Sequence, residues 1–174
     1  MTPVRVSFVL LAAFVLSACV SFPDAPAPQV SPSIEENQFR SVDGAKLGLS
    51  AWAAPAPRAV IVALHGMNDY ANMYDGPAQF WAEEYGVTTY ALDQRGFGRS
   101  PMPGRWAGEE TMIADLRAVI AAARAKHPGL PVFALGHSMG AGVALSAVGE
   151  GRAPAVDGLV LAAPAVAGGA LLNP

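Results

Sequence analysis

Residues 136–140 read Gly136-His137-Ser138-Met139-Gly140 and follow the apolar run Pro131-Val132-Phe133-Ala134-Leu135. A serine between two such glycines, where a strand turns sharply into a helix, is presented as a nucleophile. The chemistry is acyl transfer: the hydroxyl attacks a carbonyl, a histidine takes the proton, and an acid orients the histidine. The serine backbone is strained at such a turn. Side chains at Gly136 and Gly140 would collide with the turn or with each other. The helix that follows, starting near Met139, directs its first amides and the positive end of its dipole at the hydroxyl.

A second motif, His65-Gly66-Met67, stands directly after the apolar run Ala59–Leu64. Acyl transfer requires two backbone amides aimed at the developing oxyanion. One is expected from Met139, the residue after the serine, and the other from Met67, with Gly66 permitting the turn that directs it inward. His65 precedes the serine, whereas this kind of elbow has its acid and histidine after it, so its expected role is structural: bonding nearby backbone and holding the loop. His137 sits too close to Ser138 in the chain to turn back onto its hydroxyl. His127 ends a helix with basic residues in its last turn and is expected to face solvent.

The third motif is Asp93-Gln94-Arg95-Gly96-Phe97-Gly98-Arg99-Ser100. Its glycines mark a shaped loop, and neither phosphate-binding glycine spacing is complete. Asp93 also precedes the serine and is expected to be structural, pairing with Arg95 or with loop amides.

These residues need elements to position them. Gln38–Val42 and Leu47–Trp52 flank Asp43-Gly44, a hairpin turn. Ala59–Leu64, Val87–Leu92, Pro131–Leu135 and Leu159–Ala163 read as strands, the first a continuous apolar run of the kind buried on both faces. Met73–Glu84, Glu109–His127 and Ser138–Glu150 read as helices. The second has Ile113, Leu116, Ile120 and Ala123 at helical spacing, acids early, bases late and Pro128 beyond. Strands alternating with helices after a hairpin predict an α/β domain with a mostly parallel sheet.

The 174 residues allow one domain. A net charge of -3 and the lack of a basic stripe exclude a nucleic-acid binder as the expectation. No cofactor or metal is expected, and the oligomeric state is not legible. Hydrophobic residues make up 52% of the chain, part of it in an N-terminal segment that is too short to span a bilayer and reads as a targeting signal. The segment ends in Leu16-Ser17-Ala18-Cys19, which resembles a bacterial lipobox, and Cys19 is the sole cysteine. The expected organisation is a lipoprotein signal over residues 1–18, a Pro- and Ala-rich tether over 19–34, and a domain from 35 onward. Lipidation at Cys19 would place the protein in the cell envelope, anchored to a membrane.

Taken in order and spacing, the motifs at 65–67, 93–100 and 136–140 resemble the α/β-hydrolase superfamily. Within it they are most similar to the monoacylglycerol lipase and lysophospholipase-like, or serine aminopeptidase-like, group. The resemblance covers about Gln38 to Ala165. It implies an α/β-hydrolase fold, Ser138 as nucleophile, the Met67 and Met139 amides as oxyanion hole, and a small lipid or ester as substrate. Members of the group continue with a cap and with strands bearing the catalytic acid and histidine. Here no histidine follows Ser138, and only Glu150 and Asp157 remain as acids. Asp157 precedes a strand rather than following one. The expectation is therefore the N-terminal portion of a serine hydrolase, inactive by itself. The other reading is a non-catalytic, hydrolase-derived envelope lipoprotein or binding protein.

Overall fold

A computed structural model of the chain describes residues 24–149 and 155–166. The expected signal segment, Cys19 and Glu150 lie outside the described residues. The strands are β1 (Ser33–Ile34), β2 (Gln38–Arg40), β3 (Lys46–Trp52), β4 (Ala59–Leu64), β5 (Val87–Leu92), β6 (Val132–His137) and β7 (Gly158–Ala162). The helices are α1 (Asp75–Tyr85), entered through a 3₁₀ turn at Ala71–Tyr74, α2 (Glu109–Lys126) and α3 (Met139–Gly149).

The seven strands form one sheet in the order β1-β2-β3-β5-β4-β6-β7. The first three strands and the β3–β5 junction are antiparallel, and β5, β4, β6 and β7 run parallel. The hairpin turns at Gly44, whose φ of 82° is left-handed and costs glycine little. The tether expected up to residue 34 enters the sheet early: the Gln29 and Val30 amides both donate to the Val42 carbonyl, and Ser33 pairs with Arg40. Prolines at this spacing would break a central strand, but β1 is a two-residue edge strand that starts after Pro32.

The continuous apolar runs follow from helices on both faces. Val60, Val62 and Leu64 of β4, with Tyr90 and Leu92 of β5, point into the large cluster beneath α2 and α3. Ala63 and Ala91, alternating with them, point to a smaller cluster with Ala71, Tyr74 and Ala78. Period-two alternation thus sends successive side chains of each strand to opposite faces, and both faces are covered. Within α2, the expected stripe of Ile113, Leu116, Ile120 and Ala123 is buried. Glu109 and Glu110 sit in its first turn and Arg124 and Lys126 in its last, each complementing the helix dipole.

From β4 the chain moves to β5 on one side, then crosses to β6 on the other. The carboxyl ends of β4 and β6 therefore flank a topological switch point, where a crevice opens in doubly wound sheets. Leu64 is in register with Leu92 and with Gly136, so the loops after all three strands leave from one level.

Candidate active site

Ser138 is the single residue between β6 and α3, with φ of 49°. A non-glycine residue in this region is strained and persists only where its surroundings hold it. Its N–H donates to the Ala162 carbonyl at 2.9 Å, and its own carbonyl accepts the Gly142 and Ala165 amides, both at 3.0 Å. Strand β7 and the residues after it thereby clamp the turn.

The flanking glycines meet different neighbours. A Cβ on Gly136 would lie 2.5 Å from the Ala141 backbone in α3, and one on Gly140 would lie 2.5 Å from the Leu64 carbonyl oxygen of β4. So Gly136 lets the helix fold back on its own strand, and Gly140 lets it press against the next one. The Gly140 amide then donates to the His65 carbonyl at 3.1 Å, tying the turn to the second motif. Gly66 completes the approach: a Cβ there would lie 3.0 Å from His137 Nδ1 and 3.3 Å from Ser138 Cβ.

The amides of Met67 and Met139 donate to no other described residue. For Met139 this follows from its place as the first residue of a helix. The Met67 side chain is exposed, whereas that of Met139 is buried. A pocket of about 440 Å³ opens here, lined by Ser138, Met67, Met139, Val143, Trp106 and Glu109 among others. Its size is in the range of small-molecule sites.

His65 is fully buried and both its ring nitrogens are engaged. Nε2 accepts the Gln94 amide at 3.0 Å, which leaves Nδ1 to donate to the Gly66 carbonyl at 2.7 Å. The Gln94 side chain returns a bond to the His65 carbonyl at 2.9 Å, and Phe97 packs edge-on to the ring. Burial pushes the imidazole below its ordinary value, so it stays neutral. This histidine holds the loops after β4 and β5 together.

In the third motif Asp93 is structural and takes loop amides, one of its two expected partners, whereas Arg95 is not its partner. Asp93 bonds the Ala71 amide, the Arg99 amide and Arg99 Nε, at 2.8, 3.0 and 2.8 Å. Burial pushes its carboxyl up, but Arg99 and these amides outweigh that and hold it below the usual range. Arg95 turns away and forks onto two other carboxylates. It reaches Asp115 at 2.7 and 2.9 Å and Asp43 at 2.8 and 2.9 Å, and Ser41 donates to Asp115. Arg95 holds Asp43 below the usual range, whereas burial pushes Asp115 up. This buried cluster fixes the loop after β5 to the hairpin and to α2. Its members are scattered along the chain, and no local spacing marks them.

The remaining candidates stay apart from Ser138. His127 is not solvent-facing: the ring is half-buried and its Nε2 is 2.8 Å from the Tyr90 hydroxyl. Asp157 stands just before β7 and bonds Arg124 and the Val132 amide, both at 2.7 Å. It is five residues from Ala162, about 16 Å along the strand, at the opposite edge of the sheet. Among the described residues no side chain hydrogen-bonds the Ser138 hydroxyl, and no group of three or more His, Cys, Asp or Glu could hold a metal ion.

A family model described as serine aminopeptidase, S33, matches residues 55–174, which take in the His-Gly-Met loop, the Asp93 motif and the elbow. The chain belongs to that family. It is 34% identical over 145 residues to a monoacylglycerol lipase of Mycolicibacterium smegmatis, covering 79% of this chain and 49% of that protein. A solved esterase from Exiguobacterium antarcticum is 30% identical with a TM-score of 0.61, over 76% of this chain and 46% of the other. An alpha/beta hydrolase from a Penicillium species superposes with a TM-score of 0.62 at 21% identity, over 73% and 44% of the two chains. The fold is that of the α/β-hydrolases. The chain spans about half the length of the curated relatives it matches.

Proposed function

We propose that this chain supplies the nucleophile half of a serine ester hydrolase acting on monoacylglycerols or lysophospholipids. Ser138 attacks the ester carbonyl and forms an acyl-enzyme, and the Met67 and Met139 amides hold the oxyanion. The observation that carries the reading is the strained Ser138 turn, opening on a pocket beside two amides that no other described residue takes up. Relatives that are lipases and an esterase favour ester substrates over peptides. The general base and its acid partner come from residues outside this chain, because its three histidines are His65, His127 and His137. The first two are engaged elsewhere, and the third adjoins the serine in the chain. Lipidation at Cys19 would hold the enzyme at the membrane where such substrates reside.

The full-length protein should react with a fluorophosphonate probe at Ser138 and hydrolyse monoacylglycerol. Ser138→Ala should abolish both. The 174-residue chain alone should show negligible turnover of a short p-nitrophenyl ester. Robust turnover by that chain, lost on Ser138→Ala, would overturn the assignment of the base.

A further inference from the structure

Two depressions lie side by side at the carboxyl edge of the sheet. One, of about 440 Å³, contains Ser138, Met139 and Val143. The other, of about 290 Å³, is formed by Asn68, Phe97, Gly104 and Arg105. Met67 and Trp106 line both. Both residues are exposed, at 54% and 36%, and neither belongs to the core.

Trp106 is not on a loose segment. The Gly96 amide donates to the Pro101 carbonyl, and the Gly104 amide donates to the Gly96 carbonyl, both at 2.9 Å. Gly96 has φ of 88°, and a Cβ there would lie 2.1 Å from the Arg105 carbonyl oxygen. The loop is closed against a residue that only glycine can supply. It brings Trp106 to the boundary that the two depressions share.

We propose that Trp106, backed by the Met67 side chain, is the partition that limits the alkyl chain accepted beside Ser138. This rests on the Ser138 pocket being the substrate pocket. An alkyl chain entering beside the serine stops at the indole. Without the indole the two spaces join, and a longer chain continues past Phe97. Each further methylene that becomes buried should raise affinity about fourfold. The Met67 side chain is thereby separated from its backbone: the amide serves the oxyanion and the thioether serves the wall.

The test uses the full-length protein carrying Ser138→Ala, titrated calorimetrically with 1-O-alkylglycerols of increasing chain length, which cannot be hydrolysed. In the parent, affinity should rise with length and then level off. With Trp106→Ala added, the levelling point should move to longer chains, and the longest ether should gain at least about tenfold relative to the shortest. Trp106→Phe, which keeps a wall, should retain the parent profile. An unchanged levelling point in Trp106→Ala, or no binding by any ether, overturns the proposal. Fluorophosphonate labelling of the Trp106→Ala protein with Ser138 intact separates the two readings. A shifted chain-length profile without labelling at Ser138 would leave the partition standing and remove the hydrolase reading.

Discussion

His65 Nε2 accepts the backbone N–H of Gln94 at 3.0 Å, so the residue after one strand fixes the residue two past the end of its neighbour. The bond requires an unprotonated Nε2, and burial already pushes the imidazole below its ordinary value of 6.5. The unfolded chain therefore binds this proton more readily than the folded one. Stability from this group is complete above about pH 6.5 and declines as the pH falls below it towards the lowered folded value. Thermal unfolding between about pH 8 and pH 5 should show that decline. His65→Gln should be less stable by about 2 kcal/mol at neutral pH, through the broken pairing of the Gln94 amide. It should also show a shallower dependence on pH. An equal slope in the two proteins would assign the titration to another group.

The Asp93 motif shows where sequence and structure part. Its glycines and its place after β5 were legible, because a buried strand that ends in Asp-x-x-Gly must leave the sheet in a shaped loop. So were the loop amides on Asp93, but not the arginine that joins them. Arg95 is nearer in the chain, but Arg99 presents its backbone N–H and its Nε to one carboxylate oxygen. Arg95 satisfies both edges of its guanidinium on Asp43 and Asp115, 52 and 20 residues away. Local spacing cannot report a cluster closed by three separate elements. The elbow was legible because its residue pattern lies within Gly136–Gly140 and the strand before it, although Ala162 and Ala165 clamp it from elsewhere in the chain. Even there, the neighbour that makes Gly140 necessary is Leu64, on another strand.

Replacing Arg95 should be among the most damaging single changes outside the elbow. Its removal leaves the buried Asp115 and the nearly buried Asp43 facing each other without a cation. Arg95→Met should cost about 3–5 kcal/mol in denaturant unfolding. Arg95→Lys should recover only part of it, because an ammonium cannot fork onto two carboxylates. Arg95→Met with Asp115→Asn should be less destabilised than the sum of the single changes. Strict additivity would mean that the two groups act independently.

The proposed membrane anchor is Cys19, which carries a prediction of its own. If Cys19 carries the lipid, Cys19→Ser should move the full-length protein from the membrane fraction to the soluble fraction, with Ser138 labelling by a fluorophosphonate retained. One acyl chain gives marginal binding, so loss of the multiple chains of a bacterial lipoprotein should be nearly complete on fractionation. Equal membrane association of the two proteins would reject lipidation at Cys19 as the anchor.

Glycine substitutions separate the elbow from ordinary helix positions. A Cβ on Gly140 meets the Leu64 carbonyl oxygen at 2.5 Å and the Leu64 Cβ at 2.6 Å. Neither can swing aside, since one is backbone and the other belongs to a core side chain of β4. Gly140→Ala must therefore push α3 away from β4, at a cost of about 1–3 kcal/mol. That displacement stretches the Gly140 amide from the His65 carbonyl and moves the Met139 amide away from the Met67 loop. Labelling of Ser138 should fall further than stability does. Gly76, in the first turn of α1, has nothing within 4 Å of its Cβ position. Gly76→Ala should stabilise by up to about 1 kcal/mol and leave labelling untouched. If Gly140→Ala labels as fast as the parent while melting lower, the elbow glycine serves folding alone, and the spacing of the two amides does not depend on it.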